Sequence, residues 1–279
     1  MLNKKQSPQS ILVGAMARQV EEMLERAIIK TRTTNQLQPD GIYVNKPVLR
    51  GQFHKWGAIL FPPLLGLPLC LKASRAANAN AVASSSSSSS LLKTALLFCF
   101  GAEFIMTISG TLHTYKWKTE KAHQRARKLD FTGIFVGIAC FYSSLGRLVM
   151  GAHPLWNPIE RIVWACAILG TLLKWKVPDA PHWANASIFL VQGWAGLPLV
   201  PFLLFSDVVS TKSAVSVLSG ATFVTLGALA YSLQWPYNTA QKQPFEIVFG
   251  PHEMFHVGTL LMFVSFTVTM WTRITELSS

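Results

Sequence analysis

Six ionisable side chains stand in or at the edges of apolar stretches of this sequence: Glu103, His113, Asp130, His252, Glu253 and His256. Inside a membrane span such residues are costly and are usually present for function. His252 and His256 are spaced i and i+4. A helix therefore carries both imidazoles on one face, one turn apart, which suits two ligands to one zinc ion. Ser109 and His113 have the same spacing, so that hydroxyl and imidazole face the same way. His113 completes a three-histidine set, which leaves one zinc position open for water. Asp130 would orient or deprotonate that water, and Ser109 would hold the water or an oxyanion.

Other chemistry fits some of the same residues. His252-Glu-Met-Phe-His256 also reads as the HExxH of zinc metalloproteases, in which Glu253 would be the general base. Those enzymes take a third ligand from downstream, where Glu276 is the one remaining carboxylate and stands beyond an apolar segment. His113 is the more economical third ligand, and Glu253 is then expected on the solvent side or behind the ligands. Two histidines at this spacing also suit helix packing or a proton path, so a transporter remains an alternative. Glu103 lies two to three turns deeper than His113 and is expected to be protonated or paired. His54 reads as an interfacial histidine without a metal role, and His123, His153 and His182 as loop residues.

These side chains need elements to position them. Residues 1–50 form a polar arm in which 11–29 has the apolar spacing of an amphipathic helix. Seven apolar segments follow, near 52–71, 91–115, 130–145, 159–173, 183–206, 213–241 and 251–271. The first contains Pro62, Pro63 and Pro68 and predicts a kinked helix. The third and fourth are shorter than the roughly 20 residues that cross a hydrocarbon core. Between the first two lies 73–90, with serines at 84–90, read as a flexible loop. His113 closes the second segment, Asp130 opens the third, and His252 and His256 open the seventh. Three separate regions thus converge on one depth.

Composition agrees with a membrane protein. Half of the 279 residues are hydrophobic and 14% are charged, against roughly 25% charged in soluble domains. Residues 1–50 hold 12 of the 38 charged side chains, which leaves the rest still poorer. The net charge of +12 comes from basic residues in the arm and between apolar runs. That placement encodes topology and excludes nucleic acid as the partner. With the N-terminus in the cytoplasm, inside segments carry 18 Lys and Arg and outside segments 7. This predicts a cytoplasmic N-terminus and metal layer. Asn185-Ala-Ser187 is a glycosylation sequon that this orientation leaves unmodified. Cys70, Cys99, Cys140 and Cys166 form no CxxC pair and read as small buried hydrophobes.

Three motifs carry a family resemblance: Ser109-Gly-Thr-Leu-His113, Leu129-Asp130-Phe-Thr-Gly133, and Phe249-Gly-Pro-His252-Glu-Met-Phe-His256. In order and separation they resemble the haemolysin-III and progestin-and-adipoQ-receptor family, which includes adiponectin receptor-like proteins. That family shares a superfamily with the alkaline ceramidases. Trp164 to Lys174 is similar to the family's fourth span. The resemblance covers roughly 50–273 and implies an all-α, multi-pass, seven-transmembrane helix bundle with a cytoplasmic N-terminus. It also implies one Zn2+ held by His113, His252 and His256. The activity implied is zinc-dependent hydrolysis of a lipid amide or ester drawn from the bilayer, or lipid-ligand sensing by a receptor. The expected organisation is an arm over 1–50 and a membrane domain over 51–273.

Overall fold

The structure of the chain, a computed structural model, describes residue 22 and residues 47–81, 88–151, 153–235 and 248–278. These residues are all-helical, without a strand among them. The amphipathic helix expected over 11–29 lies outside them, apart from Glu22, which is helical.

In chain order the helices are α1 (Gln52–Phe61), α2 (Leu67–Ala81), α3 (Ser88–Thr114), α4 (Glu120–Phe141), α5 (Arg147–Met150), α6 (Trp156–Lys176), α7 (His182–Gly193), α8 (Val200–Phe205), α9 (Thr211–Leu233) and α10 (Pro251–Glu276). π-helical turns, Pro62–Gly66 and Tyr142–Gly146, join α1 to α2 and α4 to α5 without a break. Six helical runs are long and apolar enough to cross a membrane: Gln52–Asn78, Ser90–Thr114, Glu120–Met150, His182–Phe205, Thr211–Leu233 and Pro251–Glu276. Helix α6 has 21 residues. Glu160 and Arg161 near its start and Lys174 and Lys176 at its end shorten its uncharged stretch.

Several expectations are corrected. The prolines of the first segment do not break it: Pro62 and Pro63 sit in a π-helical turn, and Pro68 lies in the first turn of α2. The wider turn absorbs backbone that proline, lacking an N–H, cannot pair. The loop expected over 73–90 is helical at both ends: α2 runs to Ala81 and α3 begins at Ser88. Alanine-rich sequence favours helix there, and Ala73, Ala76 and Ala77 are buried against the bundle. The third segment begins at Glu120, so Asp130 lies about three turns into α4. Thr119 caps this helix by accepting from the Ala122 N–H at 3.2 Å, and Glu120 in the first turn complements the helix dipole. The charged stretch before Asp130 is therefore helix, not loop.

Small residues let the helices approach closely. A Cβ on Gly258 of α10 would stand 2.6 Å from the Phe223 carbonyl oxygen of α9, and one on Gly227 3.0 Å from Phe255 Cα. Facing glycines thus seat α9 against α10 at the depth of the histidines. Outward faces carry large apolar side chains, among them Ile59, Leu64, Leu169, Val191, Leu226 and Val264, all exposed. Only a lipid surrounding makes such a belt stable. Inside, Gln192 donates to the carbonyls of Phe135 (3.0 Å) and Val163 (3.2 Å), tying α7 to α4 and α6. At the opposite end from the histidines, Arg273 reaches the Leu148 and Val208 carbonyls and pairs with Glu276. That end is locked by polar contacts of its own.

Candidate metal centre

The last turns of α3, the middle of α4 and the first turns of α10 meet at one end of the bundle. Pro251 starts α10 at a position where no backbone donor is needed. Glu253 closes the turn by accepting from the Gly250 N–H at 2.8 Å. This cap fixes the register that turns His252 and His256 inward, with ring centroids 4.5 Å apart. From α3, the His113 ring stands 4.6 Å from that of His252 and 5.4 Å from that of His256. Donor atoms of the three imidazoles all lie within 4.8 Å of one another, so the group can hold a metal ion.

The donor set fits zinc. His113 Nε2 and His252 Nε2 are 3.1 Å apart. Two nitrogens on one tetrahedral zinc, each at about 2.0–2.1 Å, stand roughly 3.3–3.4 Å apart. His256 Nδ1 is buried without a hydrogen-bond partner, an imidazole nitrogen left for a ligand. Asp130 Oδ2 lies 3.9 Å from His113 Nε2, and Ser109 stands beside the Asp130 carboxylate in the same cavity lining. All five residues singled out in the sequence, Ser109, His113, Asp130, His252 and His256, therefore come together.

The carboxylate between the two histidines is tied into the fold. Of the two places expected for Glu253, the solvent side and behind the ligands, it takes the second: it is fully buried and pairs with Arg50 besides capping α10. Both functions occupy its carboxylate, which is thereby unavailable as the base of an HExxH protease. The basic residues preceding Asp130, Arg127 and Lys128, are hydrogen-bonded to the end of α6 and the segment that follows it. Arg127 donates to Asp179 Oδ1 (2.8 Å) and the Pro178 carbonyl (2.9 Å), and Lys128 to the Trp175 carbonyl (2.8 Å).

A family model described as haemolysin-III related matches residues 42–267. The chain belongs to the haemolysin-III related family. In this haemolysin-III related protein the match covers every histidine of the cluster, and the apolar belt makes the protein integral to a membrane, crossing it several times.

The centre of this haemolysin-III related chain opens into a cavity of about 160 Å³. Ser109, Asp130, His252 and His256 stand at its polar end, and apolar side chains such as Ile134, Phe189, Val224 and Met262 line the rest. Between Asp130 and Tyr142, both in the lining, lie about 18 Å of helix at 1.5 Å per residue. The cavity thus runs from the histidines into the interior of the bundle. Three lining residues escaped the sequence reading. His54, read as interfacial, is 2% exposed and stacks on His256 with ring centroids 3.8 Å apart. Its signal was its place at the opening of the first segment, the same depth as the other histidines. Tyr231 stands edge-on to His252 and shares a hydrogen bond with His182, which opens α7 rather than lying in a loop. Asn185 is 3% exposed, and its Nδ2 donates to the Ala180 carbonyl. Nothing in the sequence around Tyr231 distinguishes it from a packing residue, and the sequon at Asn185 gives no hint of a place in the cavity lining.

Proposed function

We propose that this protein is a zinc-dependent hydrolase of a lipid amide or ester, with its centre at the cytoplasmic end of a seven-helix membrane bundle. The observation that carries this reading is Asp130. Its carboxylate stands beside Ser109 and 3.9 Å from His113, at the polar end of an otherwise apolar cavity that His252 and His256 also line. A structural zinc site is normally closed by a fourth protein ligand, whereas three histidines leave a position open.

His113, His252 and His256 would hold the ion. A zinc ion there supplies Lewis acidity to a carbonyl oxygen and acidifies water. The apolar lining receives the acyl chain, and that burial carries the carbonyl to the histidine end. Asp130 accepts a proton from the attacking water at its carboxylate and returns it to the leaving amine or alcohol. The Ser109 hydroxyl would donate to Asp130 and keep that carboxylate turned towards the centre. This gives Ser109 a positioning role in place of direct oxyanion contact.

The seventh crossing is α6, long enough at 21 residues to span a thin bilayer with its charged ends at the two surfaces. The orientation follows the 18-to-7 excess of Lys and Arg on segments at the histidine end.

The test is metal analysis of purified protein followed by mass spectrometry of products from lipid amides and esters. Wild type should carry about one zinc per chain and release free fatty acid. His113→Ala, His252→Ala and His256→Ala should each lose most of the metal. Full zinc retention in His113→Ala ends the three-histidine assignment. Saturable lipid binding without turnover by the zinc-loaded wild type replaces hydrolysis with ligand sensing.

A further inference from the structure

His54 is the one histidine at the centre that the three-imidazole group leaves unused. It sits in the first turn of α1, buried, with its side chain in the cavity lining beside Ser109, Asp130, His252 and His256. Its place is fixed from two directions. Gly110 lets α3 come against α1, since a Cβ there would stand 2.8 Å from Lys55 N and 3.2 Å from the His54 carbonyl carbon. The ring itself lies parallel to His256, with 9° between planes.

Both His54 nitrogens, Nδ1 and Nε2, are buried without a hydrogen-bond partner. A neutral imidazole always presents one donor and one acceptor, on opposite edges of the ring. Leaving both unmet in an enclosed site is unfavourable, and native proteins rarely retain such groups without a use. If the ring served only as a stacking support for His256, phenylalanine would give the same face with no unpaired atoms. His54 lines the cavity, so a molecule that fills the cavity can supply that partner.

Resting on the hydrolase reading, we propose that His54 is a ligand-contacting, specificity-determining residue. It binds the uncharged head of the amphiphile whose chain occupies the cavity. The complement of one donor and one acceptor is a head that offers both, a carbonyl together with an N–H or hydroxyl. A head with acceptors alone leaves one edge of His54 unpaired. His54 thus favours hydroxylated or amide heads over simple esters.

The test uses the full-length protein with its zinc in lipid nanodiscs. The probe is a fluorescent N-acylethanolamine, compared with the matching methyl ester. His54→Phe keeps the stacked face and removes both nitrogens, whereas His54→Gln keeps a donor and an acceptor and removes the stack. The expected result is unchanged zinc content in both variants. Probe affinity should fall by about tenfold or more in His54→Phe, with partial recovery in His54→Gln. The preference for the amide over the ester should shrink in His54→Phe, and any loss of turnover should lie in KM more than kcat. Wild-type affinity in His54→Phe, or zinc loss in either variant, overturns the proposal and makes His54 a support of the metal centre. Should His54→Phe fail to fold, a head-placed diazirine on the same probe reads the wild type directly. Labelling of the peptide carrying His54 is expected, and its absence, or a lack of saturable binding, overturns the proposal. Binding and labelling need no turnover, so they remain informative if the wild type hydrolyses nothing.

Discussion

Two carboxylates lie near the histidines, and their surroundings give them different work. Glu253 accepts from Gly250 and pairs with Arg50, so its oxygens are committed to holding the start of α10. Asp130 faces Ser109 and His113 at the cavity. Asp130→Asn should retain most of the zinc and the fold, while hydrolysis falls roughly 10²–10⁴-fold, the usual worth of a positioned acid–base group. Glu253→Gln leaves the Arg50 guanidinium without its buried partner. It should lower stability by about 1–3 kcal/mol, read as a fall in detergent-resistant melting temperature, with a much smaller loss of rate per folded molecule. Abolished hydrolysis in Glu253→Gln, with Asp130→Asn intact, would reverse the two roles.

At the level of elements, the centre depends on how the chain enters α1. The Leu49 N–H donates to the Val248 carbonyl at 3.1 Å, and Arg50 reaches Glu253, so 47–51 is strapped across the start of α10. Gly51 follows with φ of 75°, a left-handed conformation that favours glycine. A Cβ there would stand 2.4 Å from His113 Cβ and 3.2 Å from Thr114 Cγ2. Gly51→Ala meets both obstacles, an unfavourable backbone and a collision with a proposed ligand. It should destabilise by about 1–2 kcal/mol from the backbone alone. It should also reduce zinc occupancy even though no ligand is changed, measured as metal content per folded chain. Full occupancy with normal stability would show that the α1 entry can move without disturbing His113.

For the whole molecule, the question with most consequence is which way the bundle faces. An accessibility tag within 84–87 should be reached only from outside or from the lumen, and a tag at the N-terminus only from the cytosol. Protease protection in sealed vesicles reads both. The opposite pattern would turn the proposed centre outward and make the lysine and arginine excess a misleading guide. The same bundle explains why hydrolysis, if present, should respond to acyl chain length. The cavity runs along about 18 Å of α4 inside the bundle, so chain burial contributes in proportion to length until the space is filled.

The membrane class and the meeting of the three histidines were legible in the sequence because they follow from local rules. Apolar runs of membrane length require helices, since a bilayer offers backbone groups no partner but the helix itself. A four-residue spacing puts His252 beside His256 whatever the rest of the chain does. The common depth of His113, Asp130 and His252 followed from segment ends, and the structure brings them together. Helix ends were less legible. The basic stretch before Asp130 reads as a loop by charge, yet Thr119 caps it as helix, and alanines after Cys70 carry α2 past its apolar limit. What only the tertiary structure decided is the set of contacts across the chain. Glu253 stands between two histidines in an HExxH, but its side chain leaves the opposite face of the helix turn and meets Arg50, 203 residues away. His54 carries no local pattern, and its burial against His256 depends on Gly110 admitting α1 to the bundle. Such pairings arise from side-chain volume and helix crossing, which no single segment encodes.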